Sequence, residues 1–317
     1  MSLLDGLESL GLGNVENRSI YDEQKKPETK RKKEEKNAAE KMKEADFLFD
    51  KSYECPICDR PFKVKTVRAG KTRLIGSDSD LRPKYEIIDV LKYDTVVCPH
   101  CGYSALSRYF KYMTNGQAKL IKQEICENYI PHKYNADTYS YEEAMERYKL
   151  VLANAVVKRA KPSEKAYICL KAGWLLRGMA EQLKIGPEYI KKKITYNRLE
   201  QEYLKNAYEG FLSARSAEPF PLCGMDEATV DYLLAALSIR FKDFEVAERL
   251  ITDMITSKSI NSRTKEKARL LKEEMTAEKK KFQKEEEKRR KEEERKAKKA
   301  AEKEALENAK KEGEEAD

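Results

Sequence analysis

The chain has 317 residues, 38% of them charged, and a formal net charge of +8. It contains no apolar run approaching the ~20 residues that cross a bilayer, which argues against a membrane-spanning helix. Its start, Met1-Ser2-Leu3-Leu4-Asp5, lacks the basic-then-apolar order of a secretory signal. A reduced, cytoplasmic setting is therefore expected, in which the seven cysteines serve metal binding before disulfides. Charged residues concentrate near Lys25–Lys43 and Lys265–Glu315, so the core is expected between about Phe47 and Met254.

In chain order, Leu3, Leu4, Leu7 and Leu10 fall at helical spacing before Gly11 and Gly13. A polar Lys- and Glu-rich linker follows, so residues 1–49 read as a short amphipathic segment on a disordered leash. From Tyr53 the pattern turns to short strands. Phe62, Val64 and Thr66 alternate with Lys63 and Lys65, Ala69-Gly70-Lys71 reads as a turn, and Arg73-Leu74-Ile75 as the returning strand. Tyr93–Val97 alternates again. After Gly102 the character is helical: Ser104–Met113, stopped at Asn115-Gly116, then Gln117–Tyr129. Longer segments follow at Ser140–Ala160, Ser163–Leu183, Glu188–Ala217, Glu227–Phe241 and Phe244–Ser257, separated by Gly- and Pro-bearing turns. In the last pair, Leu234 and Ala235 face Phe244, Ala247 and Ile251, and the small residues allow close backbone approach. From Thr264 the sequence is nearly all Lys, Glu, Arg and Ala, too sparse in apolar residues for a coiled-coil seam. It reads as a solvated single helix held by i,i+4 ion pairs, or a frayed tail.

The expected fold is thus mainly α with a small β zinc ribbon: residues 50–113 a zinc-ribbon-like four-cysteine module, 114–257 a tetratricopeptide-like α-solenoid or helical bundle, and 258–317 the charged tail. The module rests on two knuckles, Cys55-Pro56-Ile57-Cys58 and Cys98-Pro99-His100-Cys101. Four thiolates form the tetrahedral shell of structural Zn²⁺, and a rubredoxin-type iron site uses the same ligands. Residues 59–97 separate the knuckles, more than the ~15–20 residues of compact ribbons. A closed shell of four thiolates has no open position for water, so a structural role is expected. His100 reads as a surface residue, as does His132. Cys126, Cys169 and Cys223 read as small hydrophobes.

With the loop Gly76-Ser77-Asp78-Ser79-Asp80-Leu81-Arg82-Pro83 and both knuckles in view, the sequence resembles the bacterial domain-of-unknown-function family numbered 2225, over about Lys51 to Ser257. The resemblance implies a zinc-ribbon-like part followed by tetratricopeptide-like helices, and it implies no activity. The charged tail falls outside it. No phosphate loop, nucleophile elbow or His-Glu-x-x-His stretch occurs. The leading expectation is a non-enzymatic adaptor that binds a protein or peptide. Leu3, Leu4, Leu7 and Leu10 would be a partner-binding segment, able to fold back onto the helices or reach another copy. A second expectation is nucleic-acid binding through Lys63, Lys65, Arg68, Lys71 and Arg73 along the first hairpin. A third, weaker one is an enzyme with an acidic pocket around Asp78, Asp80 and Asp94, between ribbon and helices.

Overall fold

The computed structural model of the chain describes residues 42–131 and 137–314. Contacts divide the chain into residues 1–46 and residues 47–317. Leu3, Leu4, Leu7, Leu10 and His132 lie outside the described residues.

Each Cys-x-x-Cys knuckle closes an antiparallel hairpin. Strands β1 (Leu48–Glu54) and β2 (Pro61–Val67) pair around the first knuckle, with Tyr53 opposite Phe62. Strands β5 (Thr95–Val97) and β6 (Ser104–Leu106) pair around the second, with Val97 opposite Ser104. Between them lies a third hairpin, β3 (Leu74–Ser77) and β4 (Pro83–Tyr85), whose tip is the Asp78–Arg82 loop. The alternation in β2 is as expected, with Phe62 and Val64 buried and Lys63 exposed. Its partner is not. β2 pairs with the preceding β1, and the Leu74 strand pairs with β4, so the expected hairpin of Phe62–Val67 with Arg73–Ile75 does not form.

Two further expectations are corrected. Tyr93–Val97 is not a half-exposed strand, because Val90–Tyr93 is a 3-10 turn capped by the Asp89 carboxylate and Thr95–Val97 is buried throughout. Ser104–Met113 is not a helix, since Ser104–Leu106 is claimed by the ladder with β5. Asn115-Gly116 stops nothing. Thr114 caps α1 (Asn115–Ile121) in a reciprocal box with Gln117, which places both residues inside the first turn.

Six helices follow among the described residues: α2 (Tyr141–Val157), α3 (Pro162–Glu181), α4 (Pro187–Ala217), α5 (Glu227–Arg240), α6 (Phe244–Thr256) and α7 (Ser262–Glu314). The expected boundaries of the five long segments before the tail hold to within about three residues. Ser140 caps α2 with Glu143 as its reciprocal partner, and Asp226 caps α5. Leu234, Ala235, Phe244, Ala247 and Ile251 are all buried where α5 meets α6, as the small-and-large pattern requires. The first part of α7 departs from a purely solvated tail. Ala268, Leu271 and Met275 form a buried stripe in the main core, and the Phe282 ring lies 5.9 Å from that of Phe244. Lys242–Glu278 and Lys279–Glu248 ion pairs flank this contact. Further along, Arg289–Glu293, Lys291–Glu287 and Lys296–Glu292 pairs run along α7 as expected of a Lys/Glu helix.

Helices α3 and α4 approach most closely at glycine. A Cβ on Gly210 would sit 2.8 Å from the Cβ of Ala166, an atom that cannot swing away. Gly210→Ala is therefore expected to destabilise the protein by about 1 kcal/mol, since overpacking of about 1–3 kcal/mol exceeds the gain in helix propensity of about 1 kcal/mol. Gly116→Ala, at a position with open space, should be neutral or stabilising. Urea midpoints of the two variants decide the point.

Candidate metal centre and neighbouring surfaces

The two knuckles are geometric copies. In the first, Cys55 N donates to Arg60 O and Asp59 N to Cys55 O; in the second, Cys98 N donates to Tyr103 O and Gly102 N to Cys98 O. The residue after each second cysteine has positive φ, 57° at Asp59 and 75° at Gly102. Gly102 also needs its missing side chain, because a Cβ there would lie 2.5 Å from the Tyr129 ring.

The hairpins meet at their cysteines. Cys55, Cys58, Cys98 and Cys101 bring their Sγ atoms within 4.8 Å of one another. Cys55 and Cys101 Sγ are 3.6 Å apart, and Cys58 and Cys98 Sγ are 3.7 Å apart. A tetrahedron with metal–sulfur bonds of about 2.3 Å spaces its sulfurs by about 3.8 Å, so these residues fit a single metal ion. Their electrostatics require one if all four are to ionise. The Cys98 thiol is held far down by contacts from Cys101 and Cys55, while the Cys101 thiol is pushed far up by Cys55 and Cys98. His100 is exposed and outside the cluster.

Aromatic rings wrap this centre. Tyr53 and Phe62 stack across the first hairpin at 6.1 Å, and Phe110 meets both edge-on. Tyr103 packs on Phe110 at 4.9 Å and donates its hydroxyl to Phe110 O. The centre is also tied to α2. Buried Asn154 donates to Gly102 O and Ser104 Oγ, and buried Arg147 donates to Thr95 O and Oγ1. Cys126, at the end of a π turn over Lys122–Cys126, packs against the cluster. Burial pushes its thiol up, against the opposing pull of Cys101. Nothing in its local sequence marked it as a neighbour of the metal ligands.

The basic residues do not share one face of one hairpin. Lys65 pairs with Asp50 at 3.1 Å across the β1–β2 ladder. Arg68 donates to Leu48 O and lies over the Phe49 ring. Arg73, on the approach to β3, stands 3.8 Å from Glu86. Lys63 and Lys71 are exposed.

The three aspartates are likewise separated. Asp78 and Asp80 serve a charge network with the helices. Arg177 of α3 meets Asp78 at 2.8 Å, Asp80 at 2.5 Å and Glu200 of α4 at 2.8 Å. Arg240 of α5 reaches Glu200 at 2.7 Å. Arg82 forks onto Glu181 at 2.9 and 2.6 Å, and Lys84 meets Asp78 at 2.5 Å. Cations and carboxylates balance, which is the condition for burying them together. Leu81 takes φ 68° to turn the loop so that its charges face the helices. Asp94 stands apart, accepting from Ser107 Oγ and pairing with Lys171. The acidic pocket expected around all three does not form.

A groove of about 640 Å³ runs between the end of α2, α3 and α4, lined by Leu152, Val156, Ala166, Cys169, Leu199 and Tyr203 among others. Val156 is 58% exposed. Ile190 and Ile194, on the first half of α4 and outside the groove's lining, are also exposed and lie one turn apart.

Among the described residues, no helix is long and apolar enough to cross a membrane. No curated protein and no solved structure matches the chain. The model of one family, described as "Uncharacterized protein conserved in bacteria (DUF2225)", matches residues 48–275. That span takes in both knuckles and the charged loop, and it runs past Ser257 to the buried Met275 of α7. The resemblance drawn from the knuckles and the loop therefore reaches further along the chain than expected, and includes the docked start of the tail. The chain belongs to this bacterial family.

Proposed function

We propose that the protein is a cytoplasmic, non-enzymatic adaptor in which a structural Zn²⁺ clasps the two knuckle hairpins and the helices hold an apolar helical segment of a protein partner. The observation that carries this reading is the groove between α2, α3 and α4, with Val156 exposed in its wall. Large apolar side chains exposed together mark interaction surfaces, and a groove between helices suits an amphipathic helix with anchors at i and i+3 or i+4. Zn²⁺ is preferred because four thiolates form its closed, redox-inert shell, the same ligand set as a rubredoxin-type iron centre. The tetratricopeptide-like character rests on the successive antiparallel helix pairs that build the groove.

The chain's own Leu3, Leu4, Leu7 and Leu10 form a segment of the kind such a groove takes, so a labelled peptide of residues 1–15 is the test ligand. It is expected to bind the chain lacking residues 1–15 more tightly than the full chain, where the tethered copy competes. Val156→Asp should abolish binding while leaving circular dichroism unchanged. Peptide binding that Val156→Asp leaves intact would remove the groove from the proposal, and so would no binding at all.

A further inference from the structure

A separate cavity of about 370 Å³ lies where β1 and β4 face α3, within the ~300–1,000 Å³ of small-ligand sites. Five aromatic rings line it: Tyr53, Tyr85, Tyr93, Tyr167 and Trp174. Its charged groups are Lys51, Lys171 and Asp94, an excess of one cation. Lys171 lies 4.5 Å from the Tyr167 ring centroid and pairs with Asp94. Burial opposes its charge, but Asp94 and Tyr167 outweigh burial and keep it protonated. Lys51 is exposed and lies 5.3 Å from the Tyr53 ring centroid. Trp174 is buried, and its indole Nε1–H has no hydrogen-bond partner among the described residues. Buried indole N–H groups usually find one.

We propose that this cavity binds a nucleotide. Aromatic walls hold a planar base by stacking, which tolerates any base because each has a π face. Asp94, which holds Ser107 Oγ and Lys171, has carboxylate lone pairs left to accept from the ring's amino and imino edges, and Ser107 Oγ is a second acceptor beside it. The cation excess, carried outward by Lys51, meets the phosphate. A ring with N–H donors and an anion on the same small molecule is what these three features require together. A free mononucleotide and a nucleotide within single-stranded RNA share this chemistry. The site uses none of the groove residues, so it stands or falls independently of the adaptor reading.

Trp174 is the only tryptophan in the chain and lines this cavity, so its fluorescence is a direct probe of binding there. The full chain should be titrated at low salt with AMP, GMP, CMP, UMP and a short single-stranded oligoribonucleotide. A saturable change with at least one mononucleotide is expected, weakened about tenfold, or about 1.4 kcal/mol, by Lys51→Glu at unchanged melting temperature. Tyr85→Leu, which removes a ring but keeps apolar bulk, should weaken it as well. Saturation by the oligoribonucleotide alone also supports the site and places the base within RNA. No saturable change with any probe up to millimolar concentration overturns the proposal. So does equal affinity in Lys51→Glu, or binding of a nucleoside as tight as its nucleotide.

Discussion

Cys98→Ser, or treatment with a strong chelator, is expected to strip the centre of metal and unfold both knuckle hairpins. Metal binding at such sites is worth about 10–16 kcal/mol in small domains, comparable to the ~5–15 kcal/mol that holds a whole domain folded. The second hairpin closes on a ladder of only three residue pairs and the first on seven, and the aromatic cluster of Tyr53, Phe62, Tyr103 and Phe110 is held in place by the two turns that carry the thiols. Loss should spread into α2, because Asn154 and Arg147 spend their hydrogen bonds on Gly102, Ser104 and Thr95. Releasing those partners leaves the buried Asn154 amide with Leu150 O alone and takes the Thr95 bonds from the buried Arg147 guanidinium, at about 1–3 kcal/mol for each group. Elemental analysis should find about one metal ion per chain in the native protein and none in Cys98→Ser. Hydrogen exchange should rise in both hairpins and in α2, yet remain slow in α5 and α6. Cys223→Ser, whose thiol lies outside the four-cysteine cluster and contacts Ser163 O and Tyr109, should keep its metal. A Cys98→Ser protein that retains stoichiometric metal would refute the four-thiolate centre.

Arg177→Met is expected to cost roughly 3 kcal/mol at neutral pH, because it leaves three carboxylates without their shared cation. Asp80 and Glu200 are buried, and removing one partner of a buried pair strands the charge that remains. The pH dependence separates this from simple loss of packing. In the native protein, burial would raise the Asp78 carboxyl, but Lys84 and Arg177 overcome it and hold it below the usual range. Arg82 does the same for Glu181. Carboxyls lowered in this way stabilise the fold above their unfolded values of ~4, and that contribution is lost as pH falls through the lower folded values. In Arg177→Met the Asp78 carboxyl keeps Lys84 and Arg82 but loses Arg177, so it should titrate higher than in the native protein. The stability gap between the two proteins should therefore narrow as pH falls from about 4 toward the lower folded value of Asp78. Denaturant midpoints across that interval provide the measurement. A gap that stays constant would mean that Arg177 contributes through its aliphatic stem alone.

This network also accounts for the most distinctive stretch outside the cysteines. Asp78, Asp80 and Arg82 sit on a hairpin tip that locks onto Arg177 and Glu181 of α3, with Glu200 of α4 joined through Arg177. No local pattern discloses that, since the partners Arg177 and Glu181 lie about a hundred residues downstream. Acidic loops are ordinarily read as solvated caps, and only proximity turns these into counterions.

Local signals were legible wherever a short stretch of chain decides its own conformation. The knuckles were, because Cys-Pro-x-Cys spacing dictates a tight turn that aims two thiols together. So were the helices, because Ser140 and Asp226 cap their own first turns and apolar periodicity persists for many residues. Pairing and docking were another matter. Whether Phe62–Val67 joins the strand before it or after it depends on a ladder between segments that look equally suitable alone. Ser104–Leu106 became strand because Thr95–Val97 needed a partner for its backbone groups, against an aromatic pattern that favoured helix. Leu271 and Met275 looked too isolated to matter in a charged tail, yet one turn of apolar contact suffices when α6 offers a complementary stripe. Residue type and spacing determined the metal ligands and the helical content. The tertiary structure decided which strand meets which, where the buried charges find their counterions, and that the aromatic cavity beneath Trp174 exists.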